Sequence, residues 1–180
     1  DNIDDDDQTY SIITSATSST DPNFSGLTVS DVSVTNTDDD VANITVTPTS
    51  GLITTESGGT ATFTIVLTTQ PTANVTIGLT SSNTAEGTVS PSSVTFTTAN
   101  WNTAQTVTIT GVNDNIDDDN VAYTIVTAQA TGTDSKYNVI NPSDVSVTNT
   151  DDDVAGITVT PTSGLTTTEA GGTATFTIVL

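Results

Sequence analysis

The chemistry open to this chain is that of carboxylate oxygen. Its 180 residues hold 22 Asp and Glu against one Lys or Arg, Lys136, and they include no His, Cys or Met. Without imidazole or thiolate, a Ser or Thr hydroxyl has no base to activate it, which removes most nucleophilic catalysis. Paired carboxylates can hydrolyse glycosides, but here the acids fall in runs at 4–7, 38–40, 117–119 and 151–153. Such runs suit a hard cation, which takes about six to eight oxygens from carboxylates and carbonyls on flexible loops. Calcium is therefore the expected ligand, and no enzymatic activity is expected.

The net charge of −21 excludes nucleic acid as a partner, since phosphate binding needs clustered Lys and Arg. It also argues against anionic membrane surfaces. No apolar run approaches the ~20 residues of a spanning helix, so no membrane span is expected in this segment. Absent cysteine rules out disulfides and thiolate metal sites without fixing the compartment, because extracellular domains can use metals for the same purpose. The chain opens inside an acidic loop and stops within an apolar run at Ile178, Val179 and Leu180. That pattern reads as a window on a longer repetitive polypeptide.

The acids recur in phase. Residues 114–180 superpose on residues 1–67 without a gap, a period of 113 (114 minus 1), and DVSVTNTDDD at 31–40 returns letter for letter at 144–153. A long period of this kind implies a tandem array. One complete unit is expected over 41–153, with 1–40 the last part of a preceding unit and 154–180 the first two strands of the next.

The elements that must position these acids are strands. Segments 44–47, 61–67, 74–79, 93–97, 106–110, 122–127 and 144–148 alternate Val, Ile or Phe with Thr or Ser. Period-two alternation buries the apolar residues on one face and leaves the hydroxyls wet. Seven such strands in about 110 residues predict an all-β, immunoglobulin-like antiparallel β-sandwich. Residues 87–97 are read as one strand bent at Pro91.

Successive strands run up and down, so the loops after the first, third and fifth and the exit from the seventh share one pole. Glu56, Glu86, Asp114, Asp117, Asp118, Asp119, Asp151, Asp152 and Asp153 fall there, nine of the unit's eleven acids, leaving Asp134 and Asp144. Asp134 and Asp144 are expected towards the other pole, within reach of the preceding joint. The corresponding copies at the other joints are Asp4, Asp5, Asp6, Asp38, Asp39, Asp40 and Glu169. A purely solvating acidic surface would scatter acids over the strand faces, which instead carry Thr and Ser. Without a cation each close carboxylate pair repels by roughly 1 kcal/mol even at water-like screening. Cations at the pole where the chain exits would turn a short hinge into a stiff joint.

The run Thr55-Glu56-Ser57-Gly58-Gly59-Thr60-Ala61-Thr62-Phe63-Thr64-Ile65, repeated from Thr168 to Ile178, resembles the opening signature of Calx-beta domains. Residues 105–119 resemble that family's fifth strand and the acidic loop after it, and 145–153 its closing strand and Asp-rich exit. The resemblance covers the whole repeat. It implies a β-sandwich of the kind found in sodium–calcium exchangers and large extracellular bacterial proteins, with Glu56, residues 117–119 and residues 151–153 as calcium ligands. The family's acidic loop continues with Glu where this chain has Asn120-Val121-Ala122, which implies fewer or more weakly held ions.

Among other residues, Trp101 reads as a plug at the sandwich end rather than a sugar platform. Tyr10 and Tyr123 share one phase and read as core. Asn23, Asn43 and Asn74 lie in glycosylation triplets that a Thr-rich chain produces by chance. The function expected from all this is a structural repeat of an extracellular or cell-surface fibre or adhesin stalk, rigidified by calcium between neighbouring repeats. A calcium-sensing regulatory module is the alternative, and a carbohydrate-binding adhesin domain the third.

Overall fold

In the computed structural model, which describes residues 1–180, the chain folds into thirteen strands and no helix. In chain order these are β1 (Gln8–Ile12), β2 (Val32–Asn36), β3 (Ile44–Thr47), β4 (Leu52–Thr55), β5 (Thr60–Leu67), β6 (Val75–Ser81) and β7 (Gly87–Ser90). There follow β8 (Ser93–Phe96), β9 (Gln105–Gly111), β10 (Val121–Thr127), β11 (Val145–Thr150), β12 (Thr158–Thr160) and β13 (Thr177–Val179). Strands β3 to β11 build two sheets, in the orders β3-β5-β9-β7 and β4-β11-β10-β6-β8. Between them lies one core, with Phe63, Ile65, Ile77, Phe96, Ile109 and Ile125 essentially without solvent contact. The expected alternation sets which side chains enter it: β5 and β9 pair antiparallel with Phe63 opposite Val107, and every second residue of each faces inward.

Two strands change sheet, both at proline. The first leaves the sheet of β5 at Pro48 and resumes as β4, which lies parallel to β11 in the other sheet. The second leaves the sheet of β9 after Ser90 and resumes beyond Pro91 as β8 against β6. Proline has no N–H to give to a ladder, so each sits where one ladder ends and the other has not begun. Each crossover supplies an edge strand to both sheets, β3 and β4 on one side of the sandwich and β7 and β8 on the other.

The bend at Pro91 agrees with the sequence reading, although it divides one expected strand between two sheets. Strand β4 was not anticipated. It holds only two apolar residues, Leu52 and Ile53, adjacent rather than alternating, and it is Thr54 that points into the interior.

Residues 1–40 form a separate two-stranded sheet of β1 and β2, and β12 pairs with β13. Tyr10, expected in a core, is 55% exposed, whereas its copy Tyr123 is 4% exposed. In the sandwich, β6 and β4 flank the β10–β11 hairpin, and no strand of this chain flanks β1–β2 in the same way. No helix is long and apolar enough to cross a membrane.

A candidate metal centre at the exit pole

Glu56 is held by the strand the sequence did not reveal. The β4–β11 ladder continues one step past β4, where the Glu56 N–H donates to Thr150 O at 3.1 Å. That bond sets Glu56 beside Asp151. A tight turn follows, in which the Gly58 and Gly59 N–H groups both donate to Thr55 O, and Gly59 also donates to Thr55 Oγ1 at 3.0 Å. A Cβ on Gly59 would collide with that hydroxyl, so the turn requires glycine here.

Two triads of carboxylates converge at this pole. Oxygens of Glu56, Asp151 and Asp153 lie within 4.8 Å of one another, as do oxygens of Glu86, Asp114 and Asp118. Their loops follow β4, precede β7, follow β9 and follow β11, so the four chain segments expected to share a pole do share it. Glu56 is only 2% exposed, and its Oε2 has no hydrogen-bond partner; neither has the buried Oδ2 of Asp153. A buried, unpartnered carboxylate oxygen is costly unless a cation or proton answers it.

The electrostatics agree. Burial pushes Glu56 above the ordinary carboxylate range, and the charges of Asp151, Asp114, Asp118 and Asp153 push it further. Asp118 and Asp153 are raised in the same way, by burial first and then by neighbouring acids. This donor set of hard oxygens fits a divalent cation such as calcium, and contains no nitrogen or sulfur that would suit a softer metal.

Asp151 and the other expected ligands also hold the loops. The Asp151 Oδ2 accepts from the Asp118 and Asp119 N–H groups at 3.2 and 3.0 Å, and Asp119 has a positive φ of 64°. Asp117 Oδ2 accepts from the Ala155 N–H at 2.7 Å, clamping the loop to the outgoing chain. Asp152 stands outside both triads and adds to the charge on Asp153.

The earlier copy repeats this wiring. Asp38 Oδ2 accepts from the Asp5 and Asp6 N–H groups, both at 2.9 Å, Asp4 Oδ2 accepts from Ala42 N–H at 2.8 Å, and Asp6 has φ 62°. Asp38, Asp39 and Asp40 form a third close group. Glu169 is exposed and joins no cluster.

Beneath the pole lies a polar layer that the sequence reading missed. Thr54 Oγ1 shares a hydrogen bond with the Tyr123 hydroxyl at 3.1 Å and donates to Asn149 Oδ1 at 2.9 Å. Asn149 Nδ2 then donates to Glu86 Oε2 and to Val112 O, both at 3.3 Å. Asn149 therefore orients Glu86 from inside the core, and Gly111 leaves room for it, since a Cβ there would crowd Asn149 Oδ1 and Thr55 O. The available signal was phase: Val145, Val147 and Asn149 alternate inward, so the third is a polar residue at a core position.

Asp134 and Asp144 accept hydrogen bonds from within the sandwich. Burial alone would raise Asp134, but hydrogen bonds from Thr72, Lys136 and Tyr137 outweigh it and hold the carboxyl below its ordinary value. Asp144 accepts from the Thr127 N–H at 2.8 Å. Asp134 thus ties its own loop to the segment before β6, and Asp144 closes the connection between β10 and β11. The residue that reaches the preceding joint is Lys136, with its ammonium 2.7 Å from Asp4 Oδ1 and 2.6 Å from Asp6 Oδ1.

No protein-family model matches the chain, and no curated protein sequence matches it significantly. Among solved structures it is similar to the apo-form Calx CBD1 domain, at 11% identity and a TM-score of 0.48, over 63% of this chain and 100% of that one. It is also similar to the periplasmic chaperone SfaE, at 12% identity and a TM-score of 0.47, over 61% of this chain and 58% of that one. Domains 4 and 5 of the S-layer protein SbsC share 24% identity at a TM-score of 0.35, over 67% of this chain and 58% of theirs. None of the three reaches a TM-score of 0.5, and none bears on what this chain does.

Proposed function

We propose that this chain is part of a tandem array of sandwiches, a structural stalk of an extracellular or cell-surface fibre or adhesin, whose joints are stiffened by calcium. The observation that carries this reading is the buried Glu56 carboxylate, whose unpartnered Oε2 is gathered with Asp151 and Asp153 at the point where the chain leaves the sandwich. Calcium held there would bind the turn after β4, the 112–120 loop and the exit strand into one body. Glu86, Asp114 and Asp118 supply a second group of oxygens beside it. The period of 113 and the identity of 31–40 with 144–153 suit a spacer better than a binding head. Trp101 packs against the core, as a plug does, instead of standing out as a sugar platform.

Thermal melting in calcium and in EDTA tests the reading. Calcium at about 100 times its dissociation constant should add roughly 2.7 kcal/mol per site, an upward Tm shift of several degrees. Glu56→Gln should melt no lower than the parent in EDTA and lose most of that shift. A melting curve indifferent to calcium would overturn the proposal.

A further inference from the structure

We infer that Lys136 is a cation built into the joint before its own sandwich: its ammonium, seated between Asp4 and Asp6, latches the sandwich to the β1–β2 segment without metal. Lys136 is the single Lys or Arg in 180 residues, and it meets acids that lie 130 or more positions away in sequence. Its backbone is fixed before the side chain extends. Asp134, which is 4% exposed, accepts from the Lys136 N–H at 2.9 Å and from the Thr72 N–H at 2.7 Å. The neighbouring Tyr137 is buried, and its hydroxyl donates to Thr69 O at 2.7 Å. A fixed backbone leaves only the lysine's own side-chain rotamers to be ordered on pairing.

Other contacts bring the same surfaces together: Gln70 N–H donates to Asn2 O at 2.6 Å, and Ala42 N–H donates to Asp4 Oδ2 at 2.8 Å. The ammonium also draws Asp4 below its ordinary value. In the repeat, the position of Lys136 is occupied by Asn23 in the earlier copy (136 minus 113), which is neutral. The lysine thus distinguishes one unit from another.

A competition follows, and this half alone rests on the calcium reading. Asp4 and Asp6 correspond to Asp117 and Asp119, which border the carboxylate triads of the later joint without joining them, so a cation at the earlier joint would meet the ammonium as a like-charged neighbour. Units bearing the lysine would then have a joint that is set without calcium and binds it less tightly.

Because the chain has no cysteine, labels can be placed at Ser33→Cys and Thr106→Cys, both exposed, in the full 180-residue chain. Electron–electron distance measurement in EDTA should give one narrow distribution, broadened by Lys136→Gln and restored by Lys136→Arg. A broad distribution in the parent, or equal widths in parent and Lys136→Gln, would overturn the latch. Calorimetric calcium titration then reads the competition. Lys136→Gln should tighten binding at the Asp4 joint by about thirtyfold, the scale expected for removing one positive charge roughly 4 Å from a divalent ion in a water-like dielectric. Identical isotherms with calcium bound would overturn the competition and leave the latch standing. Calcium bound by neither protein would overturn the calcium reading and the competition together, while the distance result in EDTA decides the latch independently.

Discussion

At the earlier joint Asp38 gathers the N–H groups of Asp5 and Asp6, and at the later joint Asp151 gathers those of Asp118 and Asp119, 113 positions on. The hairpins that follow are in the same register, Tyr10 opposite Val34 and Tyr123 opposite Val147. What surrounds the two copies differs. Lys136 answers the first joint, and Asp4 and Asp38 are drawn below their ordinary values, Asp4 chiefly by that ammonium and Asp38 chiefly by the Asp40 N–H. At the second joint no cationic side chain is present; Glu56 and Glu86 come in from the β4 and β7 ends respectively, and Glu56, Asp118 and Asp153 are pushed up. Ten residues of identical sequence therefore carry a local backbone device in both places. Whether that device presents satisfied anions or anions in need of a cation is decided by the rest of the sandwich.

The largest difference between the copies should appear in the hairpins. Tyr123→Ala removes a ring packed in the core and should cost about 3–5 kcal/mol in urea unfolding, the usual range for a buried aromatic. Tyr10→Ala, at an exposed position, should stay within about 0.5 kcal/mol. Equal costs would mean that β1–β2 is covered in solution as β10–β11 is here.

A smaller contrast lies one layer below the acids. Asn149→Ala strands Thr54 and releases Glu86, and should cost about 1–3 kcal/mol as an unpaired buried polar group. Asn36→Ala touches an exposed residue and should change little. If Asn149 orients Glu86, its loss should also weaken calcium binding more than Tyr123→Phe does, although the latter sits in the same polar layer. Calcium affinities of the two variants check this.

The difference between the copies also explains what the sequence revealed. Parity was enough to bring Glu56, Glu86, Asp114, Asp118, Asp151 and Asp153 to one pole, because strand direction follows from counting strands, and the extra strand β4 does not reverse the count. It runs on from β3 in the other sheet, as β8 runs on from β7. The residues that parity could not reach act through side chains crossing between segments: Lys136 onto Asp4 and Asp6, and Asn149 onto Glu86. Asp134 and Asp144 were expected towards the other pole, and counting strands does not reveal that they accept from N–H groups of Thr72, Lys136 and Thr127 within their own sandwich. Tyr10 had the right phase and lacked the covering strands, which phase alone does not supply.

The smallest effect, and the one that separates the two charge environments most directly, is the pH dependence of stability without metal. Glu56, Asp118 and Asp153 bind their protons more tightly in the folded protein than at the ordinary values of 4.5 for Glu and 3.8 for Asp. Between those values and the raised ones the folded state carries more protons than the unfolded chain, so stability falls as pH rises through that window. Asp4, Asp38 and Asp134 have the opposite sign. Their contribution is fully present above 3.8 and is lost as pH falls through their lowered folded values. In EDTA the melting temperature should therefore peak on the acid side of neutrality, with Glu56→Gln flattening the decline towards neutral pH and Asp134→Asn flattening the acid limb. Calcium should reverse the first of these slopes, because bound metal favours the ionised carboxylates and its affinity rises as they deprotonate. A metal-free profile that climbs steadily to neutral pH would mean that the Glu56 group is already satisfied, and the contrast between the two joints would then disappear.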